Sequence, residues 1–349
     1  MLIKKLYLKD YRNYDEINLE FNPHLNLIYG PNGIGKTNIL ESIILVSNTK
    51  SFRTLKDQDL IKKDKEYSRI ILEADLGEFK IVINKKNKIL YLNNNLIKRS
   101  SDYIGKINAI LFKPQDLSLF DQSPKERRRL LDTELGKISK TYLNSLLIYN
   151  KLLKDKNQLL KENNIDETLL EIIEDKMIPE MINIINEREK FFEYINKNIS
   201  DIYQKISNTD TKIEIIYKKC SDINELKNNL IKSREKDLYY RYTNIGCHLE
   251  DYYFKMNDID INSIASQGQK RMTLIAFKFV IIKYIKEITN ISAIVLLDDI
   301  MSELDKENIM RLINNLPNDS QIFITNTDID DIKDIKDYKE IHLESKEDE

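Results

Sequence analysis

Helix breakers are scarce in this chain, with 8 glycines and 6 prolines in 349 residues. Because 32% of the residues are charged, that scarcity predicts long, solvated helices. No apolar run of about 18 residues occurs, so no membrane-spanning helix is expected, and no membrane is expected among its partners. The opening Met1-Leu2-Ile3-Lys4-Lys5 reads as strand and lacks the apolar stretch of a signal peptide, so a cytoplasmic protein is expected. Cys220 and Cys247 are the only cysteines and stand 27 positions apart in no Cys-x-x-Cys or Cys/His cluster. They are expected to be buried or inert thiols of a reducing cytoplasm. Net charge is also missing: at −2, no global field draws the chain to nucleic acid. The charge is nonetheless uneven. Residues 50–106 carry 14 basic against 8 acidic side chains, and residues 328–349 carry 4 against 10. A local basic face is compatible with this balance and a uniformly basic protein is not.

Against those absences stands Gly30-Pro31-Asn32-Gly33-Ile34-Gly35-Lys36-Thr37, which has the P-loop pattern. The preceding Leu25–Tyr29 reads as a buried strand, and Asn38–Leu45 has apolar residues at helical spacing. A glycine-rich turn between strand and helix lets backbone N–H groups curl around an anion, and the helix start adds partial positive charge. Lys36 is expected to reach the β- and γ-phosphates of a nucleoside triphosphate, and the Thr37 hydroxyl to join a Mg²⁺ shell.

The length exceeds one usual core, so two or three lobes are expected. Residues 1–122 form the first, with an antiparallel meander signalled by Ile17/Leu19/Phe21, Ile70/Leu72/Ala74/Leu76 and Phe79/Ile81/Ile83. Ile107–Phe112 is nearly all apolar and is expected to be a central strand. At Ser123-Pro124-Lys125-Glu126 a capping box opens a helical lobe over 123–240. Two antiparallel helices, interrupted near Lys161–Asp166, make an arm of roughly 35 residues each way, about 50 Å if straight. Pro179 is expected to kink or split the second helix. An alternating strand at Ile213–Tyr217 and a helix over Ile223–Asp237 complete this lobe, and residues 241–349 form the last.

In that last lobe, Ala293–Leu297 is a buried strand that ends in Asp298-Asp299. Carboxylates at the C-terminal end of a strand sit where α/β sheets bind ligands. Given the P-loop upstream, Asp298 is expected in the Mg²⁺ shell, with Asp299 orienting or deprotonating the attacking water. Ser266-Gln267-Gly268-Gln269-Lys270 precedes another helix and has two readings. It is a plain helix cap, or a second phosphate grip that serves the nucleotide of a partner molecule.

Together these pieces resemble an ABC-type ATPase head and, more closely, the RecF family. Leu8–Tyr14 is similar to the family's opening segment, and Thr37–Ile43 extends its P-loop. Ser51-Phe52-Arg53, Phe112–Leu117 with Ser123-Pro124 and Arg127–Arg129, and Ala265–Arg271 resemble its Ser-Phe-Arg element, lobe connector and signature loop. Leu297–Asp299 with Ser302–Asp305 resembles its acidic strand and D-loop, and Gln321–Thr325 its last core strand. The resemblance implies an α/β fold of P-loop, mixed central sheet and antiparallel β-meander, with an inserted helical arm. It implies ATP and Mg²⁺ as cofactors, nucleotide contacts from Arg12, Arg53 and Ser266–Gln269, and Gln115 near the metal and water. It further implies an ATP-dependent homodimer that clamps DNA, single-stranded or as a gapped or junction duplex, in the nucleoid, RecR and RecO as partners, and support of the SOS response. Three departures are visible. Gln115 stands where relatives more often carry a carboxylate, Leu249 replaces an arginine in Gly246–Asp251, and no histidine follows Thr325. Asn326 or Thr327 must then make the γ-phosphate contact, and slow, timer-like hydrolysis is the implied outcome.

Alternatives belong to the same ATPase class. A structural-maintenance head of SMC or Rad50 type needs hundreds of coiled-coil residues, a transporter subunit needs a membrane partner, and a nuclease-linked ATPase needs an added carboxylate cluster. Arg127–Arg129 point around a helix, so DNA contact and internal pairing are both open. Lys85, Lys86 and Lys88 read as a solvated hairpin tip. Packing is favoured over base stacking for Tyr239, Tyr240 and Tyr242.

Overall fold

The structure, a computed structural model, describes residues 1–299, 306–328 and 338–344. They fall into two compact units. The first holds residues 1–116, 205–208 and the described residues from 274 onward; the second holds 117–204 and 209–273.

The first unit contains two sheets. An antiparallel sheet of six strands runs in the order Tyr14–Glu20, Ile3–Tyr11, Tyr67–Ala74, Gly77–Asn84, Lys88–Leu92, Asn95–Ile97. Its strands alternate as the meander reading requires: Leu6, Leu8, Ile70, Leu72, Phe79, Ile81 and Ile83 are fully buried on one face. The helix Lys36–Asn48 packs Ile39, Leu40, Ile43 and Ile44 into the same core. The five-stranded sheet runs Tyr338–His342, Leu25–Tyr29, Ile322–Asn326, Ile294–Leu297, Ala109–Phe112, and every pairing in it is parallel. Parallel and antiparallel pairings are thus segregated into separate sheets.

Ala109–Phe112 is an edge strand here, not a central one. Its apolar run reflects cover on its faces: Phe112 lies 6.1 Å from Phe279, Ala109 packs in the core, and Lys278 donates to the Leu111 carbonyl. Two-sided burial and two hydrogen-bonded neighbours produce the same sequence pattern.

In the second unit the capping box forms as read, opening a helix over Pro124–Ile138. The first leg of the arm then breaks at Ser139, whose side chain accepts from Tyr142 N and caps a new helix over Lys140–Leu159. Pro179, by contrast, does not split the second leg, which runs as one 41-residue helix over Glu167–Ser207. Pro179 and Asp175 both face solvent, so the carbonyl left without an N–H partner can be hydrated. Arg188 of this helix is buried and donates to Tyr142 Oη at 3.0 Å, Asp132 at 2.7 Å, the Cys247 carbonyl at 3.0 Å and the Glu250 carboxylate. Residues 241–273 belong with these helices rather than with a separate C-terminal lobe. The strand Asp251–Met256 pairs along its length with Ile213–Lys218, and that ladder ties the segment to the helical unit. Among the described residues no helix is long and apolar enough to cross a membrane.

Candidate nucleotide-binding site

Parallel strands deliver the candidate residues to one rim. Leu25–Tyr29 leads into the P-loop, Ile322–Asn326 ends at Asn326 and Thr327, Ile294–Leu297 at Asp298 and Asp299, and Ala109–Phe112 leads to Gln115. All four lie at the C-terminal ends of neighbouring strands, the edge where open α/β sheets bind ligands.

The loop depends on its glycines. Gly30, Gly33 and Gly35 have φ of 149°, 82° and 119°, a region other residues rarely adopt. A Cβ on Gly35 would sit 2.5 Å from the Tyr14 hydroxyl, and one on Gly30 would sit 2.5 Å from the Leu343 carbonyl oxygen. Gly35 caps the helix Lys36–Asn48 without a side-chain hydrogen bond, and no acidic residue lies in the first turn. The first-turn N–H groups are therefore not bonded to a capping side chain, the arrangement suited to an anion. Lys36 Nζ donates to the Gly30 and Pro31 carbonyls at 2.7 and 3.0 Å. Burial lowers the Lys36 ammonium from its ordinary value, although the charges of Asp299 and Asp298 act the other way.

Asp298 is the meeting point. Its Oδ1 accepts from Thr37 Oγ1 at 3.0 Å and from Thr325 Oγ1 at 2.9 Å. Burial pushes this carboxyl above its ordinary range, the two threonine bonds oppose the rise, and the charge of Asp299 adds to it. Asp299 has φ of 50° and donates its backbone N–H to Thr325 Oγ1 at 3.0 Å. Two adjacent carboxylates with two hydroxyls form a hard-oxygen set, which suits Mg²⁺ and would be relieved of its mutual repulsion by a cation. Asn326 is buried and donates through Nδ2 to the Asp328 carbonyl, while Thr327 is exposed. Gln115 is exposed on the turn Pro114–Phe120, and its neighbour Asp116 is held by Lys278.

The two arginines differ. Arg12 closes on buried Glu41 with Nε at 2.8 Å and an Nη at 2.6 Å, and its other Nη donates to the Asp59 carbonyl. Arg53 remains half-exposed, donating to Asn38 Oδ1 at 2.7 Å and lying 3.8 Å from Glu41. Sequence reading missed Glu41 as the anchor of both; a charge within the apolar run Ile39–Leu45 was the available signal. It also missed Asn13, which donates to the Ile34 carbonyl at 2.7 Å and so pins the P-loop, and Thr325 as a partner of Asp298. The strand Tyr338–His342 lay in a segment read only as acidic, yet Leu343 N donates to the Tyr29 carbonyl at 2.9 Å beside Gly30.

In the second unit Ser266 caps the helix Gln267–Thr289. Its hydroxyl accepts from Gln269 N at 3.2 Å, and Gln269 Oε1 accepts from Ser266 N at 2.9 Å, a complete capping box. Ser266, Gln267, Gly268 and Gln269 are all exposed. Two members of the arginine trio are engaged internally: Arg127 holds Asp251 with bonds of 2.8 and 2.7 Å, and Arg128 donates to the Glu250 carbonyl at 2.6 Å. Lys88, read as part of a solvated tip, instead binds Asp57 and the Thr49 carbonyl. Tyr239, Tyr240 and Tyr242 are exposed and contact one another. Cys220 and Cys247 do not stand alone, because their sulfurs and a Glu250 carboxylate oxygen lie within 4.8 Å of one another. The expected D-loop at Ser302–Asp305 lies outside the described residues.

With this geometry in hand, three kinds of likeness converge. The family model for the RecF/RecN/SMC N terminal domain matches residues 2–118. The DNA replication and repair protein RecF of Lachnoclostridium phytofermentans is 37% identical over 324 residues, 90% of each chain. That of Acholeplasma laidlawii is 37% identical over 330 residues, 93% of each. Among solved structures, the recombination mediator protein RecF with ATP, of the RecFOR pathway, superposes with a TM-score of 0.88 at 34% identity, covering 96% of this chain and 93% of that one. The Smc head domain of Pyrococcus furiosus, at 20% identity and a TM-score of 0.53 over 93% of this chain and 89% of that one, shares the fold alone.

Proposed function

Because the chain belongs to the RecF family of DNA replication and repair proteins, we propose that it is a slow, DNA-stimulated ATPase whose ATP-bound homodimer clamps gapped or junction DNA. The observation that carries the proposal is the convergence of Thr37 and Thr325 on Asp298, on the same strand rim as Lys36 and Asp299.

In this reading the N–H groups of Gly30–Thr37 and the Lys36 ammonium hold the triphosphate. Thr37, Asp298 and Gln115 would hold Mg²⁺, which supplies charge neutralisation on the phosphate oxygens when bound. Asp299 orients the attacking water and accepts its proton; Asn326 or Thr327 contacts the γ-phosphate. Arg53, half-exposed, contacts nucleotide. Arg12, already closed on Glu41 and Asp59, acts as a positioning residue for the helix start and Arg53. Ser266–Gln269, complete as a cap and exposed, presents its outer surface to the γ-phosphate bound by a second copy.

DNA phosphates are taken by the basic stretch of residues 50–106 and by exposed Arg129, so affinity should rise with ATP and fall steeply with salt. Recombinase loading at gaps with RecR and RecO, a nucleoid location and a contribution to the SOS response follow from the family reading. An SMC- or Rad50-like head acting elsewhere is the alternative, disfavoured by an arm whose longest helix has 41 residues.

Sedimentation with ATP, ADP or no nucleotide, with and without gapped duplex, tests the proposal. ATP alone should drive pairing. Ser266→Arg should bind ATP normally and remain monomeric, yet regain some association when mixed with Lys36→Ala protein, because that pair keeps one intact composite site. Wild-type dimerisation by Ser266→Arg alone would overturn the trans arrangement.

A further inference from the structure

The second unit contains a pair of thiols for which the nucleotide site has no use. Cys220 follows the strand Ile213–Lys218, and Cys247 opens the short turn Cys247–Leu249 that leads into Asp251–Met256. Those strands pair antiparallel with Lys218 opposite Asp251, so the ladder's end draws the two cysteines together. We propose that Cys220 and Cys247 form a reversible intramolecular disulfide, a covalent modification site that closes residues 220–247 into a loop around the helix Leu226–Tyr240.

The alternative occupant of this cluster is a thiophilic metal ion. Glu250 argues against it, because its carboxylate already accepts from Cys220 N at 3.1 Å, from Tyr217 Oη and from Arg188. The buried Arg188 guanidinium would repel a cation held at that oxygen. A disulfide is neutral and needs no ligand from Glu250.

Access assigns the order of events. Cys220 is half-buried and Cys247 is 1% exposed, so an oxidant meets Cys220 first. Burial also pushes the Cys247 thiol well above its ordinary value, as do its hydrogen bond with Cys220 and the charge of Glu250. With hydrogen peroxide as oxidant, the Cys220 thiolate attacks one oxygen and the O–O bond breaks, leaving a sulfenic acid and hydroxide. The hydroxide takes up the proton that the Cys220 thiol released. Cys247 sulfur then attacks Cys220 sulfur; the S–S bond forms, the S–O bond breaks, and water leaves with the Cys247 proton. Two thiols are oxidised and one peroxide is reduced to two waters.

Oxidation would fix the base of the segment that carries Tyr239, Tyr240 and Tyr242, the exposed aromatic cluster at the far end of the enclosed helix. It would also hold together a chain nicked anywhere within the loop, where Lys227, Lys232, Arg234, Lys236 and Arg241 are tryptic sites.

The full-length protein should be treated with a small excess of hydrogen peroxide and analysed by intact mass, denatured thiol titration and non-reducing peptide mapping. The expected result is a monomer lighter by about 2 Da, the loss of two hydrogen atoms. It should show no titratable thiol, one linked peptide pair containing Cys220 and Cys247, and full reversal by dithiothreitol. Cys247→Ser should stop at a Cys220 sulfenic acid that dimedone traps. If that variant fails to fold, the wild-type mass and peptide map decide alone. Persistence of both thiols, a cross-link only between chains, over-oxidised Cys220 beside free Cys247, or stoichiometric Zn²⁺ binding that shields both thiols would each overturn the proposal.

Discussion

Two helix starts in this protein solve the same problem in opposite ways. At Gly35 the helix Lys36–Asn48 begins with left-handed glycine, no capping side chain and no acidic first turn. At Ser266 the helix Gln267–Thr289 begins with a reciprocal Ser–Gln box and ordinary backbone. The first has no side-chain cap on its first-turn N–H groups; at the second, Ser266 already caps the Gln269 N–H. An exposed helix start that already carries its side-chain cap fits a contribution in trans by its outer surface. The sequence motifs alone, both Gly-containing and both before amphipathic helices, do not reveal that difference.

The contrast is broken most directly at Lys36. Lys36→Ala should weaken ATP binding by roughly 100-fold or more, since two charge-assisted hydrogen bonds of about 1.5–3 kcal/mol each are lost. Equilibrium titration alongside circular dichroism checks this, and tight binding by a folded variant would remove the P-loop from the mechanism. Asp299→Asn comes next. Asparagine tolerates the φ of 50° at this position. ATP should bind normally while hydrolysis falls at least about tenfold, as loss of a general base implies; an undiminished steady-state rate would show that Asp299 has no such role.

The two glycines give a sharper test of architecture. Gly35→Ala forces a Cβ to 2.5 Å from Tyr14 at a φ of 119°, and should cost about 1–3 kcal/mol in urea unfolding. Gly268→Ala meets only Ser266 Oγ at 3.9 Å and should be neutral or stabilising by up to about 1 kcal/mol. Equal losses at both sites would erase the distinction.

The smallest effect lies in pH dependence, where two carboxylates should move in opposite directions. The folded-state value of Asp298 is raised by burial, so its charge destabilises the protein as pH rises through that value. Asp298→Asn should therefore be more stable than wild type near neutrality, and the gain should fade in acid. For Asp251, burial is the largest influence and acts upward, but the Arg127 hydrogen bonds, the Tyr252 backbone N–H and the charges of Arg127 and Arg128 together outweigh it, leaving the folded-state value lowered. Its stabilisation is complete above the ordinary carboxylate range and is lost as pH falls through the lower folded value. Asp251→Asn should be less stable than wild type at neutral pH and converge with it in acid. Urea midpoints at several pH values would show both trends, and parallel profiles for the two variants would contradict them.

Much of the site was legible because it is local. Gly30–Thr37 and Leu297–Asp299 each announce a strand end within eight residues, and the parallel sheet brings both to one rim. What could not be read depends on distant partners. The resemblance alone places Arg12 and Arg53 at the nucleotide, and Glu41, which binds both, is visible only once strand and helix are packed. Pro179 is expected to kink or split its helix and does not split it, because local sequence does not say which residues will face water. Ser139 was overlooked as a break because a capping serine inside a continuous apolar stripe leaves the periodicity intact. The two cysteines looked unrelated at a separation of 27 positions, and only the register of Ile213–Lys218 with Asp251–Met256 brings them together.

The strand Tyr338–His342 has a practical consequence. It covers one side of Leu25–Tyr29, whose other side is taken by Ile322–Asn326. A chain shortened before Tyr338 would bare a row of backbone donors and acceptors along a strand that is otherwise buried, an open template for recruiting other chains. Such a variant would self-associate whatever nucleotide was present, and its aggregates would mimic the very pairing that sedimentation is meant to detect. Shortened forms of this protein are therefore the wrong material for measuring ATP-driven assembly.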